Sequence, residues 1–88
     1  HLTAAPDLVI EVLSPTTKAF DLTVKRDEYE RAGVTEYWAI DPADARVRCY
    51  RRTENLLVEV PVIGDTLPSV ALTGFSLDLR PFRVLTST

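Results

Sequence analysis

The chain has 88 residues, 45% hydrophobic and 26% charged, with a net charge of -3 and a pI near 5.0. That length fits one small domain burying roughly 60–65% of its unfolded surface, and no apolar run approaches the ~18 residues a membrane-spanning helix needs. The single cysteine, Cys49, excludes an internal disulfide and a cysteine-based zinc cluster, and it fits a reducing compartment, so the cytoplasm is the expected location.

The chain opens at His1 with no initiator Met and no leader, as a processed product or a fragment would, and a terminal histidine reads as tail rather than ligand. The proline-bounded run from Pro6 to Pro15 predicts a first strand over residues 7–14, of the continuously apolar kind that lies centrally in a parallel sheet with both faces covered. Strand periodicity places Asp7, Val9, Glu11 and Leu13 on one face and Leu8, Ile10 and Val12 on the other. Glu11 is the residue to explain, because an ionised carboxylate among apolar neighbours has to be paired, hydrogen-bonded or metal-bound. Ser14-Pro15-Thr16-Thr17 breaks the strand. A helix follows from about Asp21 or Leu22 to Ala32, with Asp21 or Thr23 near its N-cap and Gly33 as its left-handed stop. Leu22, Lys25, Tyr29 and Ala32 form its inner stripe, while Arg26, Asp27, Glu30 and Arg31 make a solvated surface.

The aromatic and β-branched run Val34-Thr35-Glu36-Tyr37-Trp38-Ala39-Ile40 predicts a second strand, closed by the turn Asp41-Pro42-Ala43-Asp44. Strand, helix, strand is a βαβ unit, so the two strands are expected to run parallel. Residues 46–52 and 56–63 alternate as an antiparallel hairpin across Thr53-Glu54-Asn55. Arg46, Arg48, Tyr50 and Arg52 share one face of it, where cross-strand pairing with groups such as Glu59 is a better account than phosphate binding. Gly64-Asp65-Thr66 reads as a turn and residues 74–79 as a last short strand. The lone histidine leaves a Ser-His-Asp or Cys-His mechanism without a base, and no glycine-rich phosphate loop or internal repeat is present.

Glu11 and Lys25 therefore face one interior from adjacent elements. The residues allow two readings: a structural ion pair that fixes the helix register, or a site for metal-assisted phosphodiester cleavage, with the carboxylate on Mg²⁺ and the lysine orienting water or steadying developing charge.

The run Pro6-Asp7-Leu8-Val9-Ile10-Glu11-Val12-Leu13-Ser14-Pro15, then Asp21-Leu22 with Lys25 and Tyr29, then Ala32-Gly33-Val34-Thr35-Glu36-Tyr37-Trp38 and Asp41-Pro42, resembles the Uma-type restriction-endonuclease-like family of the PD-(D/E)XK nuclease superfamily. The resemblance implies a mixed α/β sheet of restriction-endonuclease type, a parallel βαβ unit followed by an antiparallel hairpin and a short last strand. It further implies a DNA endonuclease using Mg²⁺ or Mn²⁺, with Glu11 as metal ligand and Lys25 as the catalytic lysine. Leu13 stands where the superfamily usually has that lysine, and the helix is expected to supply it instead. Asp7 lies four residues from Glu11, about 13 Å along a regular strand, too far to share one cation. The second acid is expected on an earlier strand of the family's domain, which makes residues 1–88 a partial nuclease domain, inactive alone, with an exposed sheet edge open to homodimerisation. The alternative is a non-catalytic remnant or dimerising module of the same fold, in which Glu11 and Lys25 form a structural pair.

Overall fold

The first two apolar runs pair side by side. The computed structural model describes residues 5–13, 18–43 and 46–84, so the expected break at 14–17 and the tail at His1 lie outside the described residues. Strand β1 (Leu8–Val12) is parallel to β2 (Glu36–Asp41), with Glu11 opposite Ala39 and Ile10 opposite Trp38. The intervening helix α1 (Lys18–Ala32) makes the connection that a parallel pair requires. Antiparallel β3 (Arg46–Thr53) and β4 (Leu56–Val60) complete a four-stranded sheet in the order β1-β2-β3-β4. The short strands β5 (Thr66–Pro68) and β6 (Ser76–Asp78) form a second, two-stranded sheet, followed by the one-turn helix α2 (Arg80–Val84).

Period-2 alternation divides the main sheet into two faces. On one, Leu13, Tyr37, Ala39, Tyr50 and Leu57 form a core against which Val9 and the helix residues Leu22 and Tyr29 pack. Tyr29, Tyr37 and Tyr50 stand in a row with ring centroids 5.0 and 5.6 Å apart, a spacing worth about 0.5–1.5 kcal/mol per pair beyond area burial. On the other face Trp38, Cys49, Leu67 and Leu79 form a second core, closed by β5 and β6. Burial pushes the Cys49 thiol up to about 11, so it serves as a small hydrophobe.

The helix ends as its sequence requires. Gly33 takes φ +90°, its N–H donates to the Glu30 carbonyl, and the Val34 N–H reaches back to the Tyr29 carbonyl at 3.1 Å, the paired bonds of a Schellman cap. Arg52 adds a cation there, donating to the carbonyls of Val34 at 2.8 Å and Glu30 at 2.7 Å, where the helix dipole is negative. Glu30 is more than solvated surface, since its Oε1 accepts the Leu57 N–H of β4 at 2.8 Å and ties the helix to that edge of the sheet.

Several expectations need correction. Helix α1 begins at Lys18, so Asp21 lies inside it rather than at its N-cap. Ala32, expected on the inner stripe, is exposed. Thr66, expected as the end of a turn, opens strand β5, which the sequence does not announce, and β4 stops at Val60 rather than at residue 63. Above all, β1 is an edge strand among the described residues, not a central one: Ile10 is 39% and Val12 63% exposed. Of the strand's second face, Leu8 packs under the second core while Ile10 and Val12 extend beyond it.

The fully buried carboxylate belongs to Glu36, at the start of β2. Its Oε1 accepts from Ser69 Oγ at 2.7 Å and from the Val70 and Ala71 N–H groups at 3.1 and 3.2 Å. Its Oε2 accepts from Trp38 Nε1 at 2.9 Å, Arg51 Nε at 3.2 Å and, weakly, Cys49 Sγ at 3.7 Å. Burial pushes its pKa up, but the bonds from Ser69, Trp38, Ala71 and Arg51 outweigh burial and hold the group below its ordinary 4.5. This carboxylate fastens the segment between β5 and β6 to the sheet, with Arg51 also bonding the Pro68 carbonyl at 3.0 Å and Phe75 stacked on Trp38 at 6.0 Å.

Because that pKa is depressed, the stability Glu36 contributes is present above the ordinary 4.5 and is lost as pH falls through the lowered folded value. Chemical denaturation across the acid range should show that slope in wild type and not in Glu36→Gln, and Glu36→Ala should cost about 3–5 kcal/mol. At the tip of the β3–β4 hairpin Glu54 has φ 59°, a conformation that favours glycine. Glu54→Gly should therefore stabilise the protein by about 1 kcal/mol, measured as a rise in denaturation midpoint.

Candidate functional site at the open edge of the sheet

Glu11 lies in β1 on the face that α1 crosses, directly opposite Ala39, the smallest side chain of the first core. Its side chain is 27% exposed, so it is only part-buried rather than enclosed. Lys25 Nζ stands 4.0 Å from Glu11 Oε1, with 41% of its own side chain exposed. One helical turn further on, the Tyr29 hydroxyl donates a hydrogen bond to the same oxygen. Lys25 and Tyr29 are four residues apart and so lie one above the other on the helix. The helix thus presents two donors to one carboxylate.

The structure brings Glu11 and Lys25 together, as the helical stripe indicates, and leaves Asp7 aside. Asp7 is exposed and contributes its backbone carbonyl, which accepts the Glu36 N–H at 3.0 Å. Leu13 is 6% exposed and packs in the first core. Two contacts of the structure carry little or no signal in the sequence. The helical stripe places Tyr29 inward without assigning it a role, although its i+4 spacing from Lys25 marks it as a second donor. Glu36 carries no local signal, because its partners Ser69, Val70 and Ala71 lie more than thirty positions away.

Electrostatics keep the phenol a donor. Burial first, then the hydrogen bond to Glu11 and the charges of Glu11 and Glu28, push the Tyr29 pKa up to about 12. On the same face Arg48 Nη1 lies 3.4 Å from Glu59 Oε2, the diagonal cross-strand pairing expected for that row, whereas Arg52 turns to the carbonyls at the helix end.

A divalent cation of the Mg²⁺ type takes hard oxygen donors, and Glu11 supplies one such carboxylate. Among the described residues no three His, Cys, Asp or Glu side chains gather to hold an ion, so these residues do not complete a metal site by themselves. No helix among them is long and apolar enough to cross a membrane.

Known proteins resemble the chain in sequence and in fold. A solved structure of a putative nuclease belonging to DUF820 from Anabaena variabilis is 27% identical to the chain, with a TM-score of 0.62. The match covers 94% of this chain and 46% of that one, so the chain spans less than half the length of this neighbour. No curated protein matches. The chain matches the family Uma2, described as putative restriction endonuclease, over residues 1–80. With nearly its whole length matched, the chain belongs to the Uma2 family.

Proposed function

We propose that this chain forms part of a metal-dependent DNA endonuclease that hydrolyses phosphodiester bonds in the manner of restriction-type nucleases. Nuclease-like character follows from the family and from the nuclease neighbour. The observation that carries the finer reading is the meeting of Glu11 and Lys25 at 4.0 Å on a part-exposed sheet edge. A structural pair at that distance and exposure is worth about 0–1 kcal/mol, too little to account for a lysine on the inner stripe of the helix.

In this reading Glu11 is one ligand of a Mg²⁺ or Mn²⁺ ion, and the second acid comes from outside the described residues. The ion, when bound, polarises the scissile phosphate and lowers the pKa of a bound water. Lys25, with its ammonium partly in solvent, donates to a phosphoryl oxygen or to the attacking water and steadies negative charge as it develops. The exposed edge of β1, with Ile10 and Val12 uncovered, is the surface we assign to strand pairing, by a further strand of the protein or by a second copy. Cys49 is an unpaired buried thiol, in keeping with a cytoplasmic setting.

The non-catalytic alternative has one observation in its favour, the incomplete ligand set among the described residues. Plasmid cleavage by the full-length protein in Mg²⁺ or Mn²⁺ separates the two. Cleavage should be abolished by Glu11→Ala and reduced about 10²–10³-fold by Lys25→Ala. Equal cutting by wild type and both variants would rule out the site. For the 88-residue chain alone the expected result is no metal-dependent cleavage. Stability gives an independent check: because the pair is part-exposed, Glu11→Gln and Lys25→Met should each cost less than about 1 kcal/mol, whereas a structural pair requires single changes costlier than the double.

A further inference from the structure

We propose that Tyr29 is the positioning residue of this site, holding the Glu11 carboxylate by one oxygen so that the other is presented to the cation. The inference rests on the nuclease reading above and deepens it. Its basis is geometric. Both helix donors converge on Oε1: the Tyr29 hydroxyl hydrogen-bonds it and Lys25 Nζ lies 4.0 Å from it. Both printed contacts fall on Oε1, so among the described residues the protein engages the carboxylate through one of its two oxygens.

The two donors differ in what they can fix. Lys25 is a flexible stem with an exposed head, and its contact is at the outer limit of an ion pair. Tyr29 is a rigid ring with two side-chain torsions, locked from behind: its ring packs at 5.0 Å and 57° against Tyr37, which is fully buried and stacks on Tyr50. An aromatic row running through the core therefore ends in one hydroxyl aimed at the candidate ligand. A metal-binding carboxylate generally needs such an outer partner to set its rotamer and donor atom, and removal of the partner typically costs 10–100-fold in metal affinity or activity. The division of labour follows: Tyr29 fixes where Glu11 points, and Lys25 remains able to turn toward phosphate or water.

Tyr29→Phe is the informative change, because phenylalanine keeps the ring in the aromatic row and deletes only the hydroxyl. In the full-length protein, Mn²⁺ binding in the absence of DNA can be followed by electron paramagnetic resonance, together with kcat and KM for plasmid cleavage and the thermal midpoint. The expected result is a Mn²⁺ dissociation constant raised about 10–100-fold and a lower kcat, with KM for DNA and the thermal midpoint unchanged. Tyr29→Leu, which also removes the ring, should lower the thermal midpoint as well, separating packing from positioning. If Tyr29→Phe binds Mn²⁺ as wild type does while Glu11→Gln does not, Tyr29 has no positioning role and the nuclease reading survives. A Tyr29→Phe protein that loses thermal stability with unchanged Mn²⁺ affinity also overturns the inference. If Glu11→Gln binds Mn²⁺ and cuts DNA as wild type does, the nuclease reading itself fails.

Discussion

The architecture depends on a carboxylate that water never reaches. Glu36 is wholly buried, and an ionised group there is tolerable only because every face of it is occupied by a donor. Those donors come from β2 itself, from β3, and from the segment after β5, so one side chain joins three parts of the chain that share no local sequence pattern. The layer formed by β5, β6 and α2 is small, and its apolar contribution is a handful of residues around Leu67 and Leu79. What gives that layer a unique position is the direction of hydrogen bonds onto Glu36, which an apolar contact, being non-directional, cannot supply.

Glu11 and Glu36 make a useful contrast, because the register sets them three rows apart on opposite faces of one sheet. Glu36 shares a row with Leu8 and Arg51, beneath a closed layer, and its oxygens are saturated. Glu11 shares a row with Ala39 and Arg48, at an open edge, and its contacts gather on one oxygen. Saturation suits a carboxylate that holds structure together; partial engagement suits one that still has an oxygen to offer. Neither environment is visible from residue type, and each follows from what packs against that carboxylate's own face of the sheet.

Much of this was legible in the sequence, and the failures share a cause. The βαβ unit, the hairpin and the Gly33 stop were readable because each depends on neighbours in the chain: period 2, period 3.6, and a residue able to adopt positive φ. The helical wheel put Lys25 inward for the same reason. What could not be read was long-range. Whether β1 is central or an edge is decided by which strands pair with it, and apolarity at Ile10 and Val12 looks the same in either place until exposure is known. Strand β5 is three residues ending in proline, too short for alternation to register, and it exists because β6 pairs with it. The early helix start at Lys18 shows Asp21's capping preference overridden by its place inside the helix.

On the proposed reading, the edge position of β1 and the single carboxylate ligand among the described residues are one problem. A strand pairing along the outer side of β1, the end of the sheet among the described residues, would sit about 4.8 Å away and bond its backbone. It would also place a side chain on the helix-covered face about 5 Å from the Cβ of Glu11, the separation of directly opposed residues. Two carboxylates at that spacing can both reach a cation that binds oxygens at roughly 2 Å, as Mg²⁺ does. Asp7 cannot fill this role from within β1, since neighbours on one face of a single strand are already about 6–7 Å apart and Asp7 is two such steps away. The geometry therefore favours an acid arriving from a neighbouring strand over one from the same strand, and the pairing that closes the sheet is the same event that would complete the site.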